Sequence, residues 1–184
     1  MEKKHIKFRT RYQHILNKFQ TVPPPITNNY KYFLAGFIEG EGSICVSVKQ
    51  TNGIFKMDPE FNICQHESGI LHLVALMHLF KTGNIELKSG SRSTYVYKMT
   101  NRQSLKEKFV PYYKKYVWPS ACEMKRGIFQ RLCEILDLFE QKVHHTPKGL
   151  ALKILPLVYQ INSSQGKRTK YRLEHLQAKI LMVP

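Results

Sequence analysis

The sequence has few acidic residues, no paired cysteines and no long apolar run. Its 184 residues include 13 Asp and Glu against 29 Lys and Arg, a net charge of +16. The four cysteines form no CxxC pair, so we expect reduced thiols in an intracellular protein, without a disulfide framework or a zinc site. No apolar run approaches the roughly 18 residues that span a bilayer. The basic first 20 residues lack the apolar segment of a secretory signal. We therefore expect neither a membrane-spanning protein nor a secreted one.

The positive charge is spread along the chain and is not confined to one tail. With 42% hydrophobic residues, the chain has enough apolar material to form a core. A folded and strongly basic protein most often binds nucleic acid. An anionic membrane surface is the weaker alternative, because no helical pattern combines a large apolar face with a uniformly basic one.

The first third of the chain predicts two helices and a hairpin. A basic helix is expected over about residues 9–20, and the prolines of TVPPPITNN end it. The next helix, Tyr30 to Gly40, is apolar all round, which predicts burial on every side. Its Gly36 and Gly40 lie four residues apart on one face and let another backbone come close. Period-two alternation then predicts strands in SICVSVKQ and KMDPEFNICQ, joined by a turn at Asn52-Gly53.

The same order of elements repeats once, and further helices follow. A helix from Gly69 to Phe80 with a stop at Gly83, strands in NIELKS and STYVYKM, and a helix capped by Asn101 complete the repeat. Pro59 cannot donate to a ladder and predicts a sheet edge or a bulge. The remaining features are a capping box at Ser120–Glu123, a helix start at Thr146-Pro147 with a kink at Pro156, a basic loop over 163–170 and a last helix from about Tyr171.

This order predicts an α+β fold with one open antiparallel sheet. We expect a basic N-terminal helix and proline-rich connector over 1–29, a core over 30–118, and C-terminal helices of the same domain over 119–184.

The segment LAGFIEGEG, Leu34 to Gly42, resembles the LAGLIDADG motif of homing endonucleases. The stretches DPEFNICQH, FKTGNIELKSGS and NRQSLKEKFVPYY resemble the I-CeuI-like branch of that family, which is encoded in organellar large-subunit rRNA introns. The resemblance covers about Tyr30 to Val117 and is looser in the C-terminal helices. It implies an αββαββα core with a saddle-shaped four-stranded sheet, and a chloroplast or mitochondrion as the compartment.

The resemblance also implies hydrolysis of DNA phosphodiester bonds with a divalent metal. Glu41 stands at the eighth motif position, where most relatives carry Asp, and is implied to ligate Mg²⁺, with Mn²⁺ or Ca²⁺ as substitutes in vitro. Glu39, at the sixth position, is expected to brace the helix end or the interface. Gln65 and Lys125 are the implied catalytic partners, and a hydrogen-bonded strand end and a solvated helix position are their ordinary alternatives. One relative has an arginine where this chain has Gly69.

One motif supplies half of a site, so the resemblance implies a symmetric homodimer on a long, pseudo-palindromic, double-stranded target. The dimer interface is expected at Leu34, Gly36, Phe37 and Gly40. A β-ribbon fits the major groove of DNA. The residues expected to contact DNA are Ser43, Cys45, Ser47, Lys49, Lys56, Asp58, Glu60, Asn62, Glu86, Lys88, Arg92 and Lys98.

Three functions stay open at this point. The first is a site-specific DNA endonuclease that acts in an rRNA gene and promotes intron mobility. The second is an RNA maturase that assists splicing, and the third is a DNA-binding protein that has lost cleavage. The carboxylate at Glu41 and the strand alternation favour the endonuclease, whereas Gly69 keeps the third function open. Taken alone, LAGFIEGEG could also be a buried helix that ends in a glycine turn.

Overall fold

The computed structural model describes residues 2–163 and 172–182. Helices and strands follow one another in the predicted order, and the sheet has the strand order β1-β2-β4-β3. The elements are α1 (Glu2–Lys18), α2 (Asn28–Glu41), β1 (Gly42–Thr51), β2 (Ile54–His66), α3 (Ile70–Phe80), β3 (Asn84–Leu87), β4 (Thr94–Met99), α4 (102–117), α5 (Glu123–Glu140), α6 (147–163) and α7 (Leu173–Leu181). The α+β prediction and the αββαββα order from α2 to α4 are confirmed.

The chain forms two compact units, one of residues 1–43 and 61–120 and the other of residues 44–60 and 121–184. The predicted loop over 163–170 lies outside the described residues from position 164 onward. Within the described ranges, none of the helices is both long and apolar enough to cross a bilayer.

One face of the sheet forms the core of the first unit. The strand register places Phe61 opposite Met99 and Ile63 opposite Tyr97, and all four side chains are buried. The ring of Phe61 stacks on Phe109 of α4, with 4.3 Å between ring centroids. Because side chains alternate across a strand, a slip of one residue would turn these apolar groups outward, so their burial specifies the register.

Helix α1 and the residue that follows it pack within this unit through aromatic side chains. The hydroxyl of Tyr12 lies 2.9 Å from Nδ1 of His78 in α3, and Phe19 lies edge-on to Tyr95 of β4 at 4.9 Å. The helix begins at Glu2, earlier than the predicted residue 9. Helix α2 starts after Thr27, whose hydroxyl accepts a hydrogen bond from the Tyr30 N–H.

The second unit contains the tip of the β1–β2 hairpin. Asn52 and Gly53 both have positive φ, 50° and 78°, as the predicted two-residue turn requires. Val46 of β1 and Met57 of β2 are buried, as the alternation predicts. Asn162 of α6 donates its side-chain amide to the Val46 carbonyl at 3.0 Å and accepts from the Val46 N–H at 3.4 Å. This side chain occupies backbone groups of the edge strand β1 that would otherwise be open to pairing.

Two helix boundaries are formed by other residues than predicted. Helix α3 ends at Phe80 as predicted, but the residue that stops it is Lys81, in the left-handed conformation with φ 49°, and not Gly83. Gly83 serves packing instead, since a Cβ built there would lie 2.4 Å from the Tyr97 ring. The capping box at Ser120 is wrong, because a 3₁₀ turn occupies Trp118–Ser120 and α5 begins after Cys122 without a side-chain cap.

Pro59, Pro156 and the predicted cap at Thr146 lie at positions that the backbone tolerates. β2 is an inner strand, but its register with β4 begins at Phe61, so Pro59 lies where it removes no bond of that ladder. Thr146 caps α6 as predicted, since its hydroxyl accepts from the Gly149 N–H at 3.0 Å. The segment Gly149–Ile154 just before Pro156 is π-helical.

Candidate functional site

Helix α2 is buried on one side and open on the other. Phe33 is 48% exposed, Phe37 is half-buried, and both glycines of the motif helix are exposed. The prediction that this helix is buried on every side is therefore wrong for the single chain. We call the exposed side the open face of α2, and it consists of Phe33, Gly36, Phe37 and Gly40.

One predicted interface residue points away from this face. Leu34 has no exposed surface and packs inside its own chain, so it offers nothing for a partner to contact, and that prediction is wrong. A Cβ built at Gly36 or Gly40 meets no heavy atom within 4 Å beyond the helix's own backbone. Packing inside the single chain therefore does not require glycine at either position.

A histidine borders the open face. The ring of His72 in α3 lies 5.0 Å from that of Phe33 and 5.6 Å from that of Phe37, and Nδ1 is 3.4 Å from the Tyr30 hydroxyl. Burial lowers the pKa of His72 below its ordinary value. The sequence pattern does not predict the contact between His72 and the two phenylalanines. The one available signal is that Phe33 lies at helical spacing from Gly36 and Phe37 and so shares their face.

Glu41 is the last residue of α2 and is exposed to solvent. The last turn of α2 contains no basic residue, and a helix C-terminus carries partial negative charge. A cation is therefore favoured near this end of the helix.

The fit of a metal to this position follows from its donor set. Among the described residues, no group of three or more His, Cys, Asp and Glu side chains converges on one point. A metal at this end of α2 would therefore need ligands besides Glu41 that the described part of the single chain does not gather there. Carboxylate and phosphate oxygens are the ligands that Mg²⁺ prefers, so the position fits a hard divalent ion.

Gln65 lies near the end of β2, and the hairpin returns this end of the strand toward the start of β1, next to Glu41. Its Oε1 accepts a hydrogen bond from the His66 N–H at 2.8 Å. A Cβ built on Gly69 would lie 2.7 Å from Cγ of Gln65 and 2.8 Å from Cδ. The glutamine side chain thus fills the space that a larger residue at position 69 would occupy.

The polar residues of β1 and β2 lie on the face opposite the buried one, as the alternation predicts. Lys49 and Asp58 are neighbours there, with 3.0 Å between Nζ and Oδ2. On β4, Lys98 contacts the Glu86 carboxylate of β3 and lies opposite Asn62 of β2. The remaining members of this polar sheet face are Ser43, Cys45, Ser47, Lys56 and Glu60.

Lys88 and Arg92 lie in the connection between β3 and β4, and both are exposed. A backbone hydrogen bond closes this connection, since the Lys88 N–H donates to the Thr94 carbonyl at 2.8 Å. Lys125 lies in the first turn of α5 and is half-buried. It belongs to the second unit, whereas Glu41 belongs to the first.

Comparisons with known proteins point to one family. The profile described as "LAGLIDADG endonuclease" matches residues 34–136, more than half of the chain. DNA endonuclease I-CeuI from Chlamydomonas moewusii is 39% identical over 152 residues, which cover 81% of this chain and 70% of that protein.

Solved structures agree. The group I intron-encoded homing endonuclease I-CeuI complexed with DNA matches with a TM-score of 0.88 and 35% identity, over 97% of this chain and 88% of that one. The archaeal intron-encoded homing endonuclease I-Vdi141I complexed with DNA matches with a TM-score of 0.73 and 29% identity, over 84% of this chain and 96% of that one. I-SmaMI bound to uncleaved DNA with calcium ions matches at 0.68 and 25%, over 83% of this chain and 49% of that one. The chain belongs to the LAGLIDADG endonuclease family.

Proposed function

We propose that this chain is a site-specific, divalent-metal-dependent DNA endonuclease that cuts both strands of a long duplex target as a symmetric homodimer. The observation that carries the proposal is the open face of α2, where two exposed glycines lead to the exposed carboxylate of Glu41. Two copies of α2 that cross at these glycines would cover the open face and place two Glu41 carboxylates side by side.

The lengths of the related structures support two copies. The fold of this chain accounts for 96% of I-Vdi141I but only 49% of I-SmaMI. A protein of the second kind has room for two such units in one chain, whereas this chain has room for one. A closed pair with twofold symmetry is the usual way in which one unit completes a site.

Three residues of the chain are proposed to take part in the cleavage reaction. Glu41 would ligate the metal, and Gln65 would orient the attacking water through its amide. Lys125 offsets negative charge near the phosphate. When bound, the ion would supply a water of lowered pKa and neutralise charge on the attacked phosphate. Mg²⁺ is the proposed ion, with Mn²⁺ or Ca²⁺ as substitutes in vitro.

The polar sheet face is proposed to follow the major groove. Its pairs Lys49–Asp58 and Lys98–Glu86 are exposed ion pairs, which contribute about 0–1 kcal/mol each and open at little cost. An open pair gives a carboxylate that accepts from a cytosine amino group and a lysine that reaches a phosphate. The kinship with I-CeuI supports a pseudo-palindromic target in an organellar rRNA gene, in a chloroplast or a mitochondrion, and a role in intron mobility.

Cleavage of a plasmid tests the proposal. The plasmid carries an intronless organellar large-subunit rRNA gene and is incubated with the purified chain in Mg²⁺ or in EDTA. Linear product that arises at one locus, only with metal, is the expected result. Glu41→Gln should abolish the product, whereas Glu134→Gln, an exposed carboxylate on α5, should leave it unchanged.

Two other outcomes would redirect the proposal. Salt-sensitive binding of the duplex without cutting in any metal would indicate a DNA-binding protein that has lost cleavage. Failure to bind the duplex, together with faster splicing of the cognate intron RNA, would indicate a maturase.

A further inference from the structure

A cluster of lysines and tyrosines lies where the start of α2 meets α4. The ring of Tyr32 is edge-on to that of Tyr116, with 5.2 Å between centroids and 77° between planes. The ammonium groups of Lys31 and Lys115 lie 6.0 Å and 5.3 Å from the Tyr116 centroid. We call Lys31, Tyr32, Lys115 and Tyr116 the basic aromatic patch.

The patch stands on a rigid support. Tyr112 of α4 is buried, and its hydroxyl donates to the Lys31 carbonyl at 2.5 Å, which ties the first turn of α2 to α4. Its ring also lies 5.0 Å from that of Tyr116 and 5.3 Å from that of Phe80 in α3. Side chains held in this way lose little further freedom when a ligand binds.

The two chain segments that contain the patch have no acidic residues. The segments 21–38 and 108–122, which contain the patch, have no Asp or Glu. They contain Lys31, Lys108, Lys114 and Lys115, and Lys114 is exposed next to the patch. Such a surface attracts a polyanion.

The patch is separate from the surfaces assigned above. At 100° per residue, Tyr32 lies about 90° around the helix axis from the middle of the open face of α2. The four residues of the patch also lie on helices and not on the polar sheet face. Tyr32 is 61% exposed, whereas Tyr116 is half-buried and already contacts two lysines, so the free aromatic surface belongs to Tyr32.

We propose that the basic aromatic patch binds single-stranded nucleic acid, with an unpaired base stacked on Tyr32 and the flanking phosphates on Lys31 and Lys115. Every base has a π-face that stacks on an exposed aromatic ring, and lysines beside that ring hold the backbone. The bases of a duplex are already stacked on one another, so a single strand fits this surface and a duplex does not. This binding goes beyond the proposed cleavage of duplex DNA and does not require it.

Binding of a labelled oligonucleotide tests the proposal. Fluorescence anisotropy measures the dissociation constant of the full-length chain for a 12-nucleotide oligo-dT. Tyr32→Ala is expected to raise that constant about fivefold to 150-fold, the range found when a stacking aromatic is removed. Tyr32→Phe keeps the ring and should bind as the unaltered chain does.

The lysines are tested through salt dependence. Replacing Lys31 and Lys115 together by glutamine should reduce the slope of log affinity against log salt by about 1.4, which is about 0.7 for each phosphate that a lysine no longer neutralises. The pair Lys148→Gln and Lys153→Gln removes the same charge from exposed positions in the second unit and should leave the slope close to that of the unaltered chain.

Three results would overturn the proposal. They are failure of oligo-dT to bind at all, oligo-dT binding that Tyr32→Ala leaves unchanged, and an equal reduction of the slope in the Lys148 and Lys153 control. Duplex cleavage by the same preparations separates this proposal from the previous one. If the chain cuts the duplex but does not bind oligo-dT, the single-strand proposal is refuted and the endonuclease proposal stands. If the chain binds oligo-dT through Tyr32 but does not cut, the single-strand proposal stands without the endonuclease proposal.

Discussion

Replacing Gly36 by alanine is expected to stabilise the isolated chain and to prevent its assembly. Glycine inside a helix costs about 0.8–1.0 kcal/mol relative to alanine. The added methyl group meets no heavy atom within 4 Å outside the helix's own backbone, so nothing inside the single chain opposes that gain. For the monomer, the free energy of unfolding should therefore rise by up to about 1 kcal/mol.

The assembled protein should respond in the opposite direction. If two copies of α2 cross at Gly36 and Gly40, the new methyl group enters a close-packed contact twice, once from each chain. Overpacking costs about 1–3 kcal/mol per site, so two sites cost about 2–6 kcal/mol. The dissociation constant of the dimer should then rise about 30-fold to 20,000-fold, and DNA cleavage should be lost.

Sedimentation equilibrium measures the association, and urea unfolding at monomeric concentrations measures the stability. Gly127→Ala in α5 is the matched control, because a Cβ there is within 3 Å only of the flexible end of Arg131. That variant should associate and cut normally. The reasoning fails if Gly36→Ala forms a dimer as tightly as the unaltered chain, since the open face of α2 would then not be the interface.

Three further predictions concern the sheet and the histidine. Asp58→Asn frees Lys49 from its ion pair and should tighten non-specific duplex binding while steepening its salt slope by up to about 0.9, measured by titration at several salt concentrations. Gly69→Ala should displace Gln65 and slow single-turnover cleavage about 100-fold without weakening DNA binding; an unchanged rate would remove Gln65 from the proposed chemistry. Burial lowers the pKa of His72, so the unfolded chain binds a proton before the folded chain does as pH falls below about 6.5. The free energy of unfolding should therefore decrease as pH falls through this range. Chemical unfolding at pH 7.5 and at pH 5.5 should show a smaller decrease in His72→Phe than in the unaltered chain.

The strands were predictable because alternation and turn chemistry agree. Asn52-Gly53 fixes a two-residue turn, and from that point each second residue of β1 and β2 has its face determined. Val46 and Met57 accordingly lie on the buried face, and Lys49 meets Asp58 on the other. The order of elements around the motif could also be predicted, since each hairpin follows an apolar helix.

The two sides of α2 could not be told apart in the same way. An amphipathic helix shows which side faces the core, but a helix that is apolar all round carries no such signal. The sequence pattern therefore assigns Leu34 to a partner although it lies in its own core, while its neighbour Phe33 is exposed. The glycines were the better guide, because an exposed glycine inside a helix costs stability and so requires a separate reason.

Contacts between distant segments were also beyond the sequence pattern. Tyr32 and Tyr116 are separated by 84 positions, and each belongs to a run of aromatic residues that reads as ordinary core. Only the folded chain brings the two rings together and leaves one of them exposed. The same is true of Gly69, which as a sequence feature suggested a missing catalytic arginine. In the structure, the side chain of Gln65 occupies the space next to it.

The distribution of charge separates affinity from selectivity. The residues predicted to contact DNA include five Lys and Arg and three Asp and Glu, so they carry a net charge of only +2 out of the chain's +16. Two of those five cations are already paired with carboxylates of the same set. Helix α1, in contrast, contains six Lys and Arg and one acid. Because counterion release scales with the number of phosphates contacted, the proposed binding mode requires most of the salt-dependent affinity to come from cations outside this predicted set. In that proposal the predicted set chooses between base pairs, and the strength of binding depends on the rest of the surface.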